Sequence, residues 1–313
     1  MPDSLENKSL ATKDIFEVAD ELEKSLQQRT EKPLLPTGLE PLDELIWGVH
    51  RKELLVIASR PSQGKTSLTL NVAWNLAKQN KKILYISLEM AASACLERIL
   101  CNEFNINGWR LRKGFPEERE MAMSSMDKLK SRLMLYPITI VDDVCFIKDE
   151  LEETIMLNKA EVFFVDHLQR ISSRGYNKRH ECLADYVQEC KRQAMIHNCS
   201  AVLASQINRQ GSGEGNAMDF MKGTGEIEEA ADTLLQLNWT GRDKLQKDPE
   251  NLSIDLGEYY IRVIKQRHGA IDSARVLFNV ANYKFEPYPE AAKTFTTTEN
   301  DEDEYEKKEV VHG

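Results

Sequence analysis

This chain reads as an α/β protein with a mostly parallel central sheet and an antiparallel extension near its end. Three patterns carry that expectation. From Leu54 onward, short apolar runs alternate with stretches of helical periodicity, as buried strands joined by crossover helices do. One run, LLVIA, breaks into a small loop ending Gly64-Lys65-Thr66 and then into a helix, the unit that cradles phosphates. The last stretch, TLLQLNW, EYYIRVIKQ and ARVLFNV, has strands with little helix between them, which suits antiparallel neighbours.

Taken in order, residues 12–29 have the pattern of an amphipathic helix. Thr12 is a suitable N-cap, Asp14 lies in the first turn, and Ile15, Val18, Ala19, Leu22 and Leu26 share one face. That apolar stripe needs a partner. The segment Glu31 to Gly38, with Pro33 and Pro36, breaks the helix and forms a tether. After LLVIA a helix runs to about Gln79, followed by the strand KILYISL. Helices over 91–103 and 117–133, the strand ITIVD, a helix near 147–158 and the strand EVFFVD come next. A helix over 181–197 and the strand SAVLASQ precede the antiparallel part, and no internal repeat is present. The expected division is a tail and helix over 1–33, one large α/β domain over 34–287 and an acidic tail over 288–313.

With 313 residues, 41% of them hydrophobic, the chain can bury a full α/β core. No apolar run approaches the ~20 residues of a membrane span, and the start MPDSLENKSLATKD lacks a signal pattern, so the expected location is the cytoplasm, with no membrane partner. The six cysteines (95, 101, 145, 182, 190 and 199) show neither Cys-x-x-Cys spacing nor histidine pairing, and read as reduced packing thiols. The formal net charge is −10, but residues 299–309, ENDEDEYEKKE, hold seven acids against two lysines, half of the excess. That tail is either a solvated end or an acidic strip that competes with DNA for a basic groove.

In the phosphate-loop reading, Ser62, Gly64, Lys65, Thr66 and Ser67 bind the nucleotide. Lys65 reaches the β and γ oxygens of a triphosphate, and the Thr66 hydroxyl ligates Mg²⁺. Ser59 stands where the strict motif has its first Gly. Asp166, ending VFFVD, is placed to hold Mg²⁺ through its water shell. Glu89, ending the second strand, is placed to orient the water that attacks the γ-phosphate, and Gln206 at the tip of SAVLASQ to sense that phosphate.

These parts in this order resemble the RecA-like P-loop ATPase core, and the wording is closer to the C-terminal motor domain of DnaB-type replicative DNA helicases. The segments that carry the resemblance are TGLEPLDELIWGVHRKELLVIASRPSQGKTS, LYISLEM, FFVDHLQ, ASQINR, MKGTGEIEEAAD and VIKQRHGAI, covering residues 36–287. Relatives often read R-P-S-x-G-K-T, which accounts for Ser59. The resemblance implies ATP and Mg²⁺ as cofactors, Glu89 as the catalytic carboxylate, Asp166 as the Walker B acid and Gln206 as the sensor. It implies Arg98 against the adenine base. It also implies that Lys265 and Arg267, in a K-x-R-x-G finger, reach the nucleotide of an adjacent subunit.

DNA contacts are expected from two loops. The Gly-rich stretch 209–225 offers Lys222, Gly223 and Gly225 to successive phosphates; relatives commonly have an acidic residue at position 223. The loop 172–180 offers Arg174, Lys178 and Arg179, with Tyr176 among them, or is a solvated surface loop. The implied function is an ATP-dependent, ring-forming helicase motor, expected as a hexamer on single-stranded DNA and moving 5′ to 3′, with a primase or helicase loader as further partners. Relatives usually carry an N-terminal collar domain joined to the motor by a linker helix, and only the linker-like helix 12–29 is expected here, docked on the next subunit. A RecA-type recombination ATPase and a KaiC-like signalling ATPase are the alternatives.

Overall fold

The computed structural model describes residues 14–27, 35–143, 146, 148–172, 177–206, 225–240 and 259–288. The first helix, α1 (Ile15–Gln27), leaves its Ile15, Val18, Leu22 and Leu26 between 41% and 72% exposed. The expected N-cap Thr12 and tether residues 31–34 lie outside the described residues. The chain then runs α2 (Glu40–Ile46), β1 (Leu54–Ser59), α3 (Lys65–Lys78), β2 (Ile83–Ser87), α4 (Ala92–Phe104), α5 (Gly108–Arg112), α6 (Pro116–Leu135) and β3 (Ile138–Val141). It continues through α7 (Glu150–Asn158), β4 (Val162–Asp166), α8 (Arg179–Ile196), β5 (Ser200–Gln206), α9 (Gly225–Ala230), β6 (Thr233–Trp239), β7 (Tyr259–Gln266), β8 (Ser273–Asn279) and β9 (Lys284–Pro287).

The strands form one sheet in the order β3-β2-β4-β5-β1-β6-β7-β8-β9. β3 to β6 are parallel to one another, and β7, β8 and β9 are added antiparallel. The sheet is therefore of the expected kind, with one refinement. TLLQLNW, which is β6, pairs parallel to β1 and antiparallel to β7, so the extension begins one strand later than the sequence pattern suggests. The chain between β5 and β6, residues 207–232, is long enough to return to the amino edge of the sheet, as a parallel connection requires. The short elements α2, α5, α9 and β9 carry too little periodicity to be read in advance.

Both faces of the sheet are covered, which is why its strands read as unbroken apolar runs. Leu55 and Ile57 of β1 join Tyr85 and Phe164 in one core, under α3 and α4. Leu54, Val56 and Ala58 join Leu84, Phe163 and Leu203 in the other, under α7 and α8. The five described cysteines are all free and buried, and burial pushes the Cys101 thiol up to about 12 and Cys199 to about 11. No described helix is long and apolar enough to cross a membrane.

Candidate functional site

The strand registers bring the motifs to one rim of the sheet. Ser59 at the end of β1 lies opposite Gln206 at the end of β5, and Ser87 at the end of β2 lies opposite Asp166 at the end of β4. Parallel strands present their ligands at these carboxyl ends. The loop 60–64 follows Ser59, and α3 begins at Lys65.

Gly64 sits at φ +84°, a left-handed conformation that L side chains rarely adopt, and a Cβ there would lie 3.3 Å from Phe278 Cε1. Phe278 is stacked on Phe285 with ring centroids 4.2 Å apart, and both pack edge-on to Tyr259. The preceding residue is tied to the same group. Gln63 Oε1 accepts the Trp239 N–H at 2.8 Å, and the Tyr259 hydroxyl donates to the Gln63 carbonyl. The antiparallel extension thus braces the phosphate loop from beneath. Ser62, exposed at φ +61°, forms its tip.

Lys65 is 7% exposed and donates from Nζ to Ser59 Oγ at 3.1 Å. Burial lowers its pKa to about 8, opposed by the negative charges of Asp166 and Glu89. Ser59, the departure from the strict motif, is therefore this lysine's partner. Asp166 is 2% exposed, and its Oδ2 accepts the Tyr85 hydroxyl at 2.9 Å. That hydroxyl is also 2.8 Å from Thr69 Oγ1. Burial raises the Asp166 pKa, while the Thr66 and Tyr85 hydroxyls favour the ionised form. Its Oδ1 is buried without a hydrogen bond of good geometry. An orphaned carboxylate oxygen facing the Thr66 hydroxyl at a strand end is a hard-oxygen donor set, and it fits Mg²⁺ beside a triphosphate.

Glu89, 40% exposed, is held by His167 Nδ1 at 2.9 Å and lies 3.5 Å from Arg170 Nη2. His167 is buried, and burial holds its pKa below the ordinary histidine value against the pull of Glu89 and Asp166. Gln206 is fixed through its backbone, its N–H donating to Gln169 Oε1 at 2.8 Å and its carbonyl accepting from Gln169 Nε2 at 3.2 Å. Arg98 on α4 lies 3.4 Å from Ser67 Oγ and over the Tyr283 ring at 5.0 Å, beside a small cavity lined by Leu70, Asn71 and Asn102.

Lys265 and Arg267 are not brought to this rim. β7 runs antiparallel to β6, so Gln266 pairs with Thr233, at the amino edge of the sheet. Arg267 Nε binds Asp232 Oδ1 at 3.1 Å, and Asp232 accepts the Leu54 N–H, the first residue of β1. Five residue steps of β1 separate that edge from Ser59, about 17 Å. Among the DNA candidates, Lys178 pairs with Glu181 at 3.2 Å, and Arg179 donates to the carbonyls of Gln169 and Ile171. Gly225 is exposed at the start of α9, whereas Arg174, Lys222 and Gly223 lie outside the described residues.

Sequence reasoning did not single out His167, Gln169, Asp232, Tyr85, Gln63 or the aromatic brace. All but the brace lie inside segments that carried the resemblance, the first three in FFVDHLQ and MKGTGEIEEAAD, Tyr85 in LYISLEM and Gln63 in the phosphate-loop segment, which was a usable signal. The brace residues meet their partners only through the fold.

The model of a family described as DnaB-like helicase C terminal domain matches residues 35–287. The chain is 31% identical over 262 residues to the replicative DNA helicase DnaB of Geobacillus stearothermophilus, covering 80% of this chain and 56% of that protein. It therefore spans little more than half the length of that relative. Among solved structures, a chain consisting of an ATPase domain superposes with a TM-score of 0.76 at 19% identity, covering 89% of this chain and 100% of that one. A structure of a DnaB-like replicative helicase and its interactions with primase superposes at 0.75 and 19% identity, covering 88% of this chain and 69% of that one. At these identities the shared property is the RecA-like ATPase fold.

Proposed function

The chain belongs to the DnaB-like helicase C-terminal domain family, and on that premise we propose that it is an ATP-driven motor that tracks on single-stranded DNA within a ring of like subunits, expected to be a hexamer serving DNA replication. One observation carries the shared-site part of this reading. Lys65, Glu89, Asp166 and Gln206 lie at the carboxyl rim of the sheet, whereas Lys265 and Arg267 lie at its amino edge. A guanidinium ~17 Å away along β1 cannot serve its own subunit's nucleotide, but it can serve a neighbour's.

In this reading Lys65, Ser62, Gly64 and Ser67 bind the phosphates, and Arg98 faces the base. Thr66 and Asp166 hold Mg²⁺, which when bound neutralises phosphate charge as a Lewis acid. Glu89 orients the attacking water, and Gln206 senses the γ-phosphate. Lys265 and Arg267 from the next subunit stabilise charge on the transferring oxygens. Lys222, Gly223 and Gly225, with Arg174, Lys178 and Arg179, contact the DNA backbone. The intramolecular bonds of Lys178 and Arg179 must be exchanged for phosphate contacts when they do so. A primase or loader is a further partner, and the domain runs over 34–287, consistent with the family match.

The test is strand displacement on a forked duplex with and without ATP, together with ATP turnover with and without single-stranded DNA. Unwinding that needs ATP, and turnover that rises with DNA, are expected. Turnover indifferent to DNA, with no strand displaced, would refute the motor.

A further inference from the structure

Both cations of the proposed finger are carried by one short stretch of this chain, residues 225–232. Lys265 Nζ donates to the carbonyls of Glu228 at 2.6 Å and Glu229 at 3.1 Å, near the carboxyl end of α9. A helix end with unpaired carbonyls favours an ammonium group there. Two residues beyond α9 comes Asp232, 3% exposed. Its Oδ1 takes the Arg267 Nε at 3.1 Å, and its backbone carbonyl takes the Arg267 N–H at 3.1 Å. Its Oδ2 takes the Leu54 N–H at 2.7 Å and the ammonium of Lys191 on α8. A buried carboxylate tied to β1 and α8 is a fixed anchor, whereas the Arg267 side chain is 52% exposed and free to be aimed by it.

We propose that Asp232, with the carbonyls of α9, is the positioning element that aims Arg267 and Lys265 at the neighbouring subunit's nucleotide. The proposal rests on the shared-site reading above. Asp232 touches neither phosphate nor metal; it acts through Arg267. Because Gly225, a proposed DNA contact, opens the same stretch, a displacement of α9 would move both cations together.

The experiment compares Asp232→Asn, Asp232→Glu and Arg267→Ala, each alone and mixed with Lys65→Ala subunits, reading ATP turnover and the affinity of a fluorescent nucleotide. Alone, Asp232→Asn and Arg267→Ala should each lose at least tenfold in turnover, with nucleotide affinity unchanged. In mixtures it should regain turnover. A junction pairing the intact phosphate loop of the Asp232 variant with the intact finger of a Lys65→Ala subunit is native. Asp232→Glu keeps the buried charge but moves the carboxylate by one methylene, and covers the case in which the Asn variant does not fold; it should show the same regain in mixtures. An Asp232 variant with full turnover beside an inactive Arg267→Ala overturns this inference alone. So does lost activity that mixing does not restore, or weakened nucleotide binding, since either would make Asp232 a support for β1. Full turnover in Arg267→Ala refutes the shared site itself.

Discussion

Lys65 makes the apo protein less stable than it could be, and replacing it should reveal by how much. Folding takes its ammonium from water into a site where it is 7% exposed, and its pKa falls from 10.5 to about 8. That drop is equivalent to about 3 kcal/mol. A lysine whose pKa falls on folding binds fewer protons folded than unfolded between those values. Stability therefore rises with pH across that window, and the full cost is present below it. Lys65→Met keeps the length of the side chain and removes the charge. The attraction of Asp166 and Glu89 is already contained in that net figure. Without nucleotide, the variant should be more stable than the parent at pH 7 by about 3 kcal/mol, read by urea unfolding. The gain should shrink as pH climbs from about 8 to 10.5, because the parent sheds its cost there. The same variant should bind triphosphate roughly 10- to 100-fold more weakly, having lost charge-assisted bonds to the phosphates. A Lys65→Met protein less stable than the parent at pH 7, with a difference flat across that pH range, would refute the reasoning.

Three further substitutions separate the parts of the site. Gly64→Ala forces an L side chain to φ +84° and sets its Cβ 3.3 Å from Phe278, so nucleotide affinity should fall at least ~10-fold as the loop lifts; unchanged affinity in a fluorescent-nucleotide titration would count against the brace. Tyr85→Phe removes the hydroxyl 2.9 Å from Asp166, and the Mg²⁺ concentration that half-saturates nucleotide binding should rise about tenfold, near 1.4 kcal/mol. If affinity drops equally with and without Mg²⁺, Tyr85 is merely a core residue. His167→Leu strips Glu89 of the partner at 2.9 Å, and turnover should fall roughly tenfold at constant nucleotide affinity; the opposite split would move His167 from the chemistry to the binding of substrate.

Much of the sheet was legible because it is covered on both faces. Runs such as LLVIA and VFFVD can only be strands buried on each side, and the Gly64-Lys65-Thr66 turn fixes which strand precedes the phosphate helix. Glu89, Asp166 and Gln206 each close an apolar run, so their common rim followed once the strands were taken as parallel. What escaped depends on contacts remote in the chain. Tyr85 reaches Asp166 across 81 residues, and Tyr259 reaches the Gln63 carbonyl across 196. Their neighbours in sequence are ordinary strand residues, so local pattern does not mark them. The orientation of β6 was likewise hidden, because TLLQLNW looks the same in either direction. The basic residue Arg179 illustrates the converse: composition marks it as a cation for DNA, while the fold has given its guanidinium two backbone carbonyls.

β7 touches two different problems at its two ends. Tyr259, its first residue, presses on the phosphate loop of its own subunit, and the strand's last residues lead through Lys265 to Arg267. Seven of its eight residues pair with β6, across a bulge at Ile264, and the first four pair with β8, so that the strand forms a strut of about 23 Å. Such a ladder shifts as a unit more readily than it stretches. On that view, phosphates arriving under the loop at one end should change the aim at the other. In the proposed ring, turnover should accordingly depend on ATP concentration with a Hill coefficient above one, and cutting the tie at Tyr259 should bring it back toward one.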